Sequence, residues 1–449
     1  MSRRSAIALY NLLLPLGLLL ALPGQLLKMA RRGNYLRHFG QRFGCYRPEV
    51  AERLEGGCDI WMHAVSVGEV FIARKLIEEL RARGEGLRLV LSTTTSTGFA
   101  EASKLEGEDL TALYNPIDLP IAVARSLRRI APKVLVLVEA EVWPNLVTQA
   151  KRAGIPVILV NARLSRRSEA RFLRFSSFVR PVFAQLDAAL VPYEEDTARW
   201  SSLGVAEEGI HVVGSMKYDL EAVAPSGSVE VFGRILDSLS GVGERSVLLL
   251  GSTHAGEEKY LGQIYLDLKR QFPDLFLVVV PRHFERSSEV VQDLRALGLD
   301  PVLRSTRTGN ESPEGGRGDP CLIVDSTGEL ADWYRLADLV VIGKSFLGAG
   351  GQNPVEPVVA GVPVFFGPEM SNFGQLVEQL CAAGGAVQVA DGEELGEKLA
   401  QYLADPAAGR ALVGAAREVL KSHAGATAGT ADLVMAVLKE GKRGVGSEH

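Results

Sequence analysis

Residues 341–361 read VIGKSFLGAGGQNPVEPVVAG, and the order of residue types in that stretch decides how the rest of the chain is parsed. The β-branched run ending in Val340, Val341 and Ile342 has the character of a buried strand. A flexible turn follows, carrying Gly343, Gly348, Gly350 and Gly351. Asn353 then stands directly before Pro354, a capping side chain followed by proline at the first helical position. A glycine-rich turn running into a helix start leaves backbone N–H groups free and aims a positive dipole outward, which makes a seat for a phosphate. Glu356 lies on the first helical turn beside that seat. Phosphate has no use for a carboxylate, so Glu356 suits a sugar hydroxyl pair, as in a nucleotide ribose. The competing reading is a capping box in which Glu356 bonds back to the cap.

The same grammar of strand, polar turn and helix extends outward in both directions. At 449 residues the chain suits two domains of roughly 200 each. A composition break at VAPSGS, 223–228, marks the crossing between them. Behind it, the strand Val247–Leu250 ends in Gly251, Ser252, Thr253 and His254, and Gly256, Glu257 and Glu258 open a helix. The strand Leu275–Val280 ends in Pro281, Arg282 and His283. The strand Leu322–Val324 ends in Asp325, followed by Thr327, Gly328 and Glu329. Residues 304–320 are polar and glycine-rich and read as a mobile loop, and two or three helices close this half. Its strand ends supply Arg282, backbone N–H groups and hydroxyls, suited to one phosphate and a ribose. The absence of a Walker P-loop, and of GxGxxG after the first strand, speaks against ATPase or dinucleotide chemistry.

In the front half, apolar runs at Ile60, Leu87, Val134, Ile155, Ala188 and His211 alternate with helical stretches such as Val70–Arg83 and Pro144–Ala153. That alternation is the mark of a parallel sheet wrapped by helices, in which ligands meet the carboxyl ends of the strands. Those ends carry Gly68 and Glu69; Thr93 to Ser96; Glu139, Glu141 and Trp143; Asn161 and Arg163; and Gly214, Ser215 and Lys217. Two or three carboxylates, an ammonium and many hydroxyls thus converge. A recessed carboxylate there can take a proton from an attacking alcohol, and a second acid with a lysine can steady developing charge. Taken singly, Glu69 also fits a first-turn acid favoured by the helix dipole, and Glu139 and Glu141 fit ion pairs with arginines.

A net charge of −5 argues against a nucleic-acid partner. Cys45, Cys58, Cys321 and Cys381 show no CxxC spacing, so neither a zinc site nor a disulfide framework is indicated. Residues 6–27 carry no charge and are about as long as a minimal spanning helix, with Pro15 and Pro23 keeping a shallow, interfacial anchor open. Lys28, Arg31, Arg32, Arg37 and Arg42 follow and favour a cytoplasmic location for what comes after. Residues 163–180 hold six arginines among Phe172, Leu173, Phe175 and Phe178, a cationic helix suited to anionic lipid headgroups or a phosphorylated lipid substrate, or else to plain packing with a solvated basic face.

The set HAVSVGE, EAEVWPN, NARLS, GSMKYD, STHAGEE, PRHFER and GGQNPVEP, in order along the chain, resembles the Kdo transferases. These bacterial inner-membrane enzymes attach 3-deoxy-D-manno-octulosonic acid (Kdo) to the lipid A precursor in lipopolysaccharide biosynthesis. The resemblance implies an α/β fold of GT-B type, two Rossmann-like domains facing across a cleft behind an N-terminal hydrophobic anchor. It divides the chain into an anchor at 1–30, an acceptor domain at 45–220 and a nucleotide-sugar domain at 225–425. It implies a CMP-Kdo donor, a lipid A precursor as acceptor, the cytoplasmic face of the inner membrane and no cofactor; no obligatory metal is expected either, because no carboxylate and histidine cluster has ligand spacing. By resemblance Glu69 is the general base, Glu139 and Lys217 stabilise the transition state, and Pro281, Arg282, Thr327, Gly328, Glu329, Asn353 and Glu356 hold the cytidine nucleotide. Two positions depart from the family pattern: Lys344 stands where relatives show a second glycine, and Gln352 where they show histidine. The alternatives are a GT-B transferase or epimerase using another nucleotide sugar, and a non-catalytic membrane-tethered nucleotide-sugar binding protein.

Overall fold

Long β-branched and leucine runs bury both faces of their strands, and that is the condition for parallel sheets. In a computed structural model, which describes residues 1–32, 38–219, 228–240, 245–309 and 319–445, these runs form two seven-stranded parallel sheets. The first contains β1 (Cys58–His63), β2 (Leu89–Thr93), β3 (Leu110–Tyr114), β4 (Pro132–Val138), β5 (Val157–Val160), β6 (Ala188–Val191) and β7 (Ile210–Val212). Its order is β3-β2-β1-β4-β5-β6-β7. The second contains β8 (Ser246–Thr253), β9 (Leu275–Pro281), β10 (Leu299–Leu303), β11 (Asp319–Ile323), β12 (Leu339–Ile342), β13 (Val364–Phe366) and β14 (Val387–Gln388). Its order is β10-β11-β9-β8-β12-β13-β14. In each sheet the strand order reverses beside the first strand, between β1 and β4 and between β8 and β12. Such reversal points open a crevice at the carboxyl ends of the two strands. The architecture is the expected α/β one.

The sequence pattern does not announce four of these strands: β3, β10, β13 and β14. Three of these lie at sheet edges, where burial is one-sided and the apolar run is short. β10 carries Pro301, which an edge strand tolerates and a central one does not.

The chain divides into two compact units, one of Met1–Asp219 with Gly425–His449 and one of Leu220–Ala424. The helix Ala426–Val445 therefore returns to the first unit. Its Ala426, Ala431, Val434 and Leu438 are buried in the cluster that holds Leu76, Ile77 and Leu80 of the helix Val67–Arg83. Asp219 caps this return: its carboxylate accepts the N–H groups of Gly425 at 2.9 Å and Thr427 at 2.7 Å. Residues 223–227 of the composition break, 310–318 of the polar loop and Arg37 lie outside the described residues.

The N-terminal apolar run forms the helix Arg3–Arg32. Its early turns dock on the first unit: Ala6 and Ile7 are buried, and Asn11 and Asn145 exchange amide hydrogen bonds of 3.2 and 2.7 Å. The opposite side is bare, with Leu12 and Leu20 74% and 76% exposed. The basic stretch forms two helices rather than one, Arg166–Arg174 and Ser176–Phe183, breaking at Phe175. Phe172 and Phe178 pack on the core, while Phe175, Leu173 and the arginines at 167, 171, 174 and 180 face outward. The packing reading thus holds for Phe172 and Phe178, and the arginines form the solvated basic face it calls for.

Candidate functional site

In the first unit the strand ends bring Glu69, Glu139, Arg163 and Lys217 into one electrostatic cluster. Glu69 sits on the first turn of the helix that follows β1, and only 8% of it is exposed. Its carboxylate accepts the N–H of Val65 at 2.7 Å and the hydroxyl of Ser66 at 2.9 Å. Burial pushes its pKa up to about 7, against those two hydrogen bonds, and the nearby carboxylates of Glu139 and Glu141 push the same way. Glu139 directly follows β4, the neighbour of β1, with its backbone in the left-handed region at φ +60°. Only its surroundings hold a non-glycine residue there. Burial raises the Glu139 carboxyl, opposed by the charges of Arg163 and Lys217. Burial, with the Arg163 charge, pushes Lys217 down to about 8, and Glu139 works against that.

Lys217 reaches the cluster because its turn is fastened from two sides. Asn161, itself left-handed at φ +49° after β5, accepts from the hydroxyl of Ser215 and the N–H of Met216, both at 3.2 Å. From the other side, the ammonium of Lys75 donates to the carbonyls of Met216 at 2.8 Å and Asp219 at 2.9 Å. The sequence pattern marks neither Asn161 nor Lys75 for this fastening role. The signal for Asn161 was its place at a strand end; Lys75 offered none.

In the second unit the expected nucleotide residues all lie at carboxyl ends of one sheet, but they are not equally available. Pro281 ends β9 and is buried, and the N–H of Arg282 donates to Thr253 at the end of β8. The Arg282 side chain is exposed and makes no ion pair among the described residues. Thr327 and Gly328 are exposed on the loop after β11. Glu329 is engaged: Arg304 donates to both of its oxygens at 3.1 and 3.2 Å, and the Trp333 indole donates at 3.3 Å. The cap falls on Pro354 rather than on Asn353, and the helix begins one residue later than expected; Asn353, just before the cap, accepts the N–H of Val355 at 3.0 Å, and its own amide donates to Glu356 at 3.0 Å. That helix, Val355–Ala360, has only six residues, so its dipole is a minor source of positive potential.

One expectation fails. The N–H groups of Lys344, Ser345 and Phe346 in the turn after β12 are not free; all three donate to the buried carboxylate of Glu257. Positive potential at this edge comes instead from side chains. Lys344, left-handed at φ +59°, has an ammonium with no ion pair among the described residues. His254 and His283 meet edge to face at 6.0 Å. Burial and the Lys344 charge both hold His254 below its usual range. Gln352 lies 3.1 Å from the Nε2 of His254, so this departure from the family pattern still joins the same cluster. Among the described residues no group of three His, Cys, Asp or Glu side chains has the arrangement of a metal site.

Comparison with known proteins places these features in company. A family model described as 3-deoxy-D-manno-octulosonic-acid transferase (kdotransferase) matches residues 37–220. The 3-deoxy-D-manno-octulosonic acid transferase of Bordetella pertussis is 35% identical over 83% of this chain and 86% of its own. Among solved structures, a UDP-GlcNAc 2-epimerase from Neisseria meningitidis bound to UDP-GlcNAc aligns at 13% identity and a TM-score of 0.54, covering 85% of this chain and all of that one. A glycosyltransferase from Rickettsia africae aligns at 11% identity and the same TM-score, covering 86% of this chain and 99% of that one. At such identities the structural likeness speaks for the GT-B type of fold alone.

Proposed function

We propose that this chain, which belongs to the 3-deoxy-D-manno-octulosonic acid transferase family, moves Kdo from CMP-Kdo to a lipid A precursor with inversion at the anomeric carbon. The observation that carries the mechanism is the buried carboxylate of Glu69, pushed up to about 7 and set beside Glu139 at the reversal point of the first sheet. A base whose pKa lies near the working pH combines a useful deprotonated fraction with real proton affinity.

In the reaction, an acceptor hydroxyl attacks the anomeric carbon and its proton passes to Glu69. The bond from that carbon to the phosphate oxygen breaks, and cytidine monophosphate leaves with the electron pair. A phosphate is already a good anion, so its departure calls for fixed positive charge more than for an acid. Arg282 and Lys344 supply that charge, the His254–His283 pair offers ring hydrogen bonds beside it, and Asn353 and Glu356 offer hydrogen bonds to the ribose. Glu139 and Lys217, each shifted by burial and by one another, hold the charge that develops on the transferred sugar and its carboxylate. Glu329 contributes to the nucleotide only by exchanging its Arg304 partner.

The bare leucines of the N-terminal helix and the outward arginines beside Phe175 support attachment to the cytoplasmic face of an anionic membrane, where the acceptor resides. The test incubates purified protein with CMP-Kdo and the tetra-acylated precursor and counts added sugars by mass. Transfer from a uridine sugar and none from CMP-Kdo would overturn the donor assignment. Binding of cytidine monophosphate without any transfer would overturn catalysis.

A further inference from the structure

The carboxylate that fills the turn after β12 belongs to Glu257, the first residue of the helix after β8. It is fully buried. One oxygen accepts the N–H groups of His254 at 2.9 Å and Lys344 at 2.6 Å; the other accepts those of Ser345 at 3.1 Å and Phe346 at 3.2 Å. A carboxylate offers about four acceptor sites, so this one has none left for a ligand. Three of the four donors are consecutive main-chain groups that converge as an anion-binding concavity.

The turn needs such a filler. Lys344 holds a left-handed backbone that side-chain-bearing residues avoid, and Gly343 is pressed so close to β8 that a Cβ would lie 2.4 Å from the carbonyl oxygen of Ser252. Three N–H groups pointing inward without an acceptor would open the turn to water. The neighbouring glycines depend on it in turn, since the N–H of Gly351 donates to the carbonyl of Lys344 at 3.0 Å. β8 and β12 flank the reversal point of the second sheet, so Glu257 ties together the two loops between which that crevice opens.

We propose that Glu257 is a positioning residue for the donor: it serves as an internal anion in the main-chain concavity after β12, fixing the turn so that Lys344, Gln352 and Asn353 are presented to the donor's charged groups. The donor phosphate is thereby kept out of that concavity and met by side-chain cations. The proposal rests on the reading of this sheet edge as the nucleotide site.

The test uses the full chain carrying Glu257→Ala. Three quantities are measured: affinity for cytidine monophosphate by calorimetry, hydrogen exchange of amides 344–346, and kinetics with the donor. Losing the acceptor for four buried donors is expected to weaken nucleotide binding about tenfold or more. The KM for the donor should rise in parallel, kcat should fall as well because Lys344 also meets the departing phosphate, and the three amides should lose protection. Sodium formate, small enough to refill the space, should restore both binding and protection relative to chloride at equal ionic strength. Glu257→Gln should show the same loss without the rescue, because its amide already occupies the space. Wild-type affinity and protection in either variant, or no response of the alanine variant to formate, would overturn the proposal. Should the alanine variant not fold, Glu257→Gln alone decides by the same two comparisons with wild type. Were the wild type itself not to bind the nucleotide, the reading of the sheet edge would fall, while the exchange experiment would still judge the role of Glu257.

Discussion

Glu69 is an acid that the fold makes reluctant to ionise. Burial favours its neutral form and two acids nearby oppose its charge, so half of it is still protonated near pH 7. The base is competent only when deprotonated, hence kcat/KM is expected to rise as pH climbs through about 7. Lys217 acts as a cation only while protonated, so activity should fall again as pH passes about 8. A pH–rate profile checks both limbs, which belong to the coupled cluster rather than to single residues. Glu69→Gln should lower kcat by about 10²–10⁴-fold, remove the acid limb and leave the donor KM nearly unchanged. Unchanged turnover would take Glu69 out of the chemistry. At this scale the sequence was informative wherever an acid or lysine ended an apolar run, as Glu69, Glu139 and Lys217 do. It was silent on Glu257, because a first-turn glutamate looks alike whether its acceptor sites face solvent or the amides of a turn some 87 residues on. Glu329 is the converse case: its motif marks it for the nucleotide, and its partner Arg304 stands on a different strand end.

Elements hold these residues through fastenings that cross the sequence. The turn 215–219 carries Lys217 at one end and caps the last helix with Asp219 at the other. Asp219→Ala removes a cap that accepts two N–H groups and should cost about 1–2 kcal/mol, read as a lowered thermal midpoint. Lys75→Met, which cuts the two bonds from the helix Val67–Arg83 to that turn, should lower kcat while leaving the fold intact by circular dichroism. Loss of the fold in that variant, or full activity, would remove Lys75 as a support of the site. Central strands such as β4 and β9 were plain in the sequence because burial on both faces writes an uninterrupted apolar run. The edges β3, β10 and β14 were not, since one-sided contact permits Asp300 and Pro301 inside a strand. Likewise the break at Phe175 follows from how its neighbours pack, not from any glycine or proline at that point.

At the scale of the whole molecule, the first unit is completed by a helix distant in sequence, whereas the second is one continuous stretch. A chain stopped after residue 424 lacks Ala426, Ala431, Val434 and Leu438 and bares the side of Leu76, Ile77 and Leu80 that they cover. Val434 and Leu438 alone account for about 1.5–3 kcal/mol each, a large share of a typical domain's stability. This truncation should leave the first unit unfolded or aggregated, judged by its thermal transition and by gel filtration. Attachment to lipid should depend on the apolar side of the N-terminal helix: replacing Leu12, Leu16 and Leu20 with serine is expected to reduce co-sedimentation with anionic vesicles several-fold, and rising salt should weaken what remains. Undiminished sedimentation would remove the helix as the contact.

The chain leaves the first unit at Asp219 and comes back at Gly425, and a single hydrogen bond of 2.9 Å spans the two points. The second unit is therefore a cassette whose two leads enter through one socket. Deleting 220–424 and splicing the stumps with a short loop should release the remainder as a self-standing protein. A foreign nucleotide module could be grafted at that one junction without redrawing either sheet.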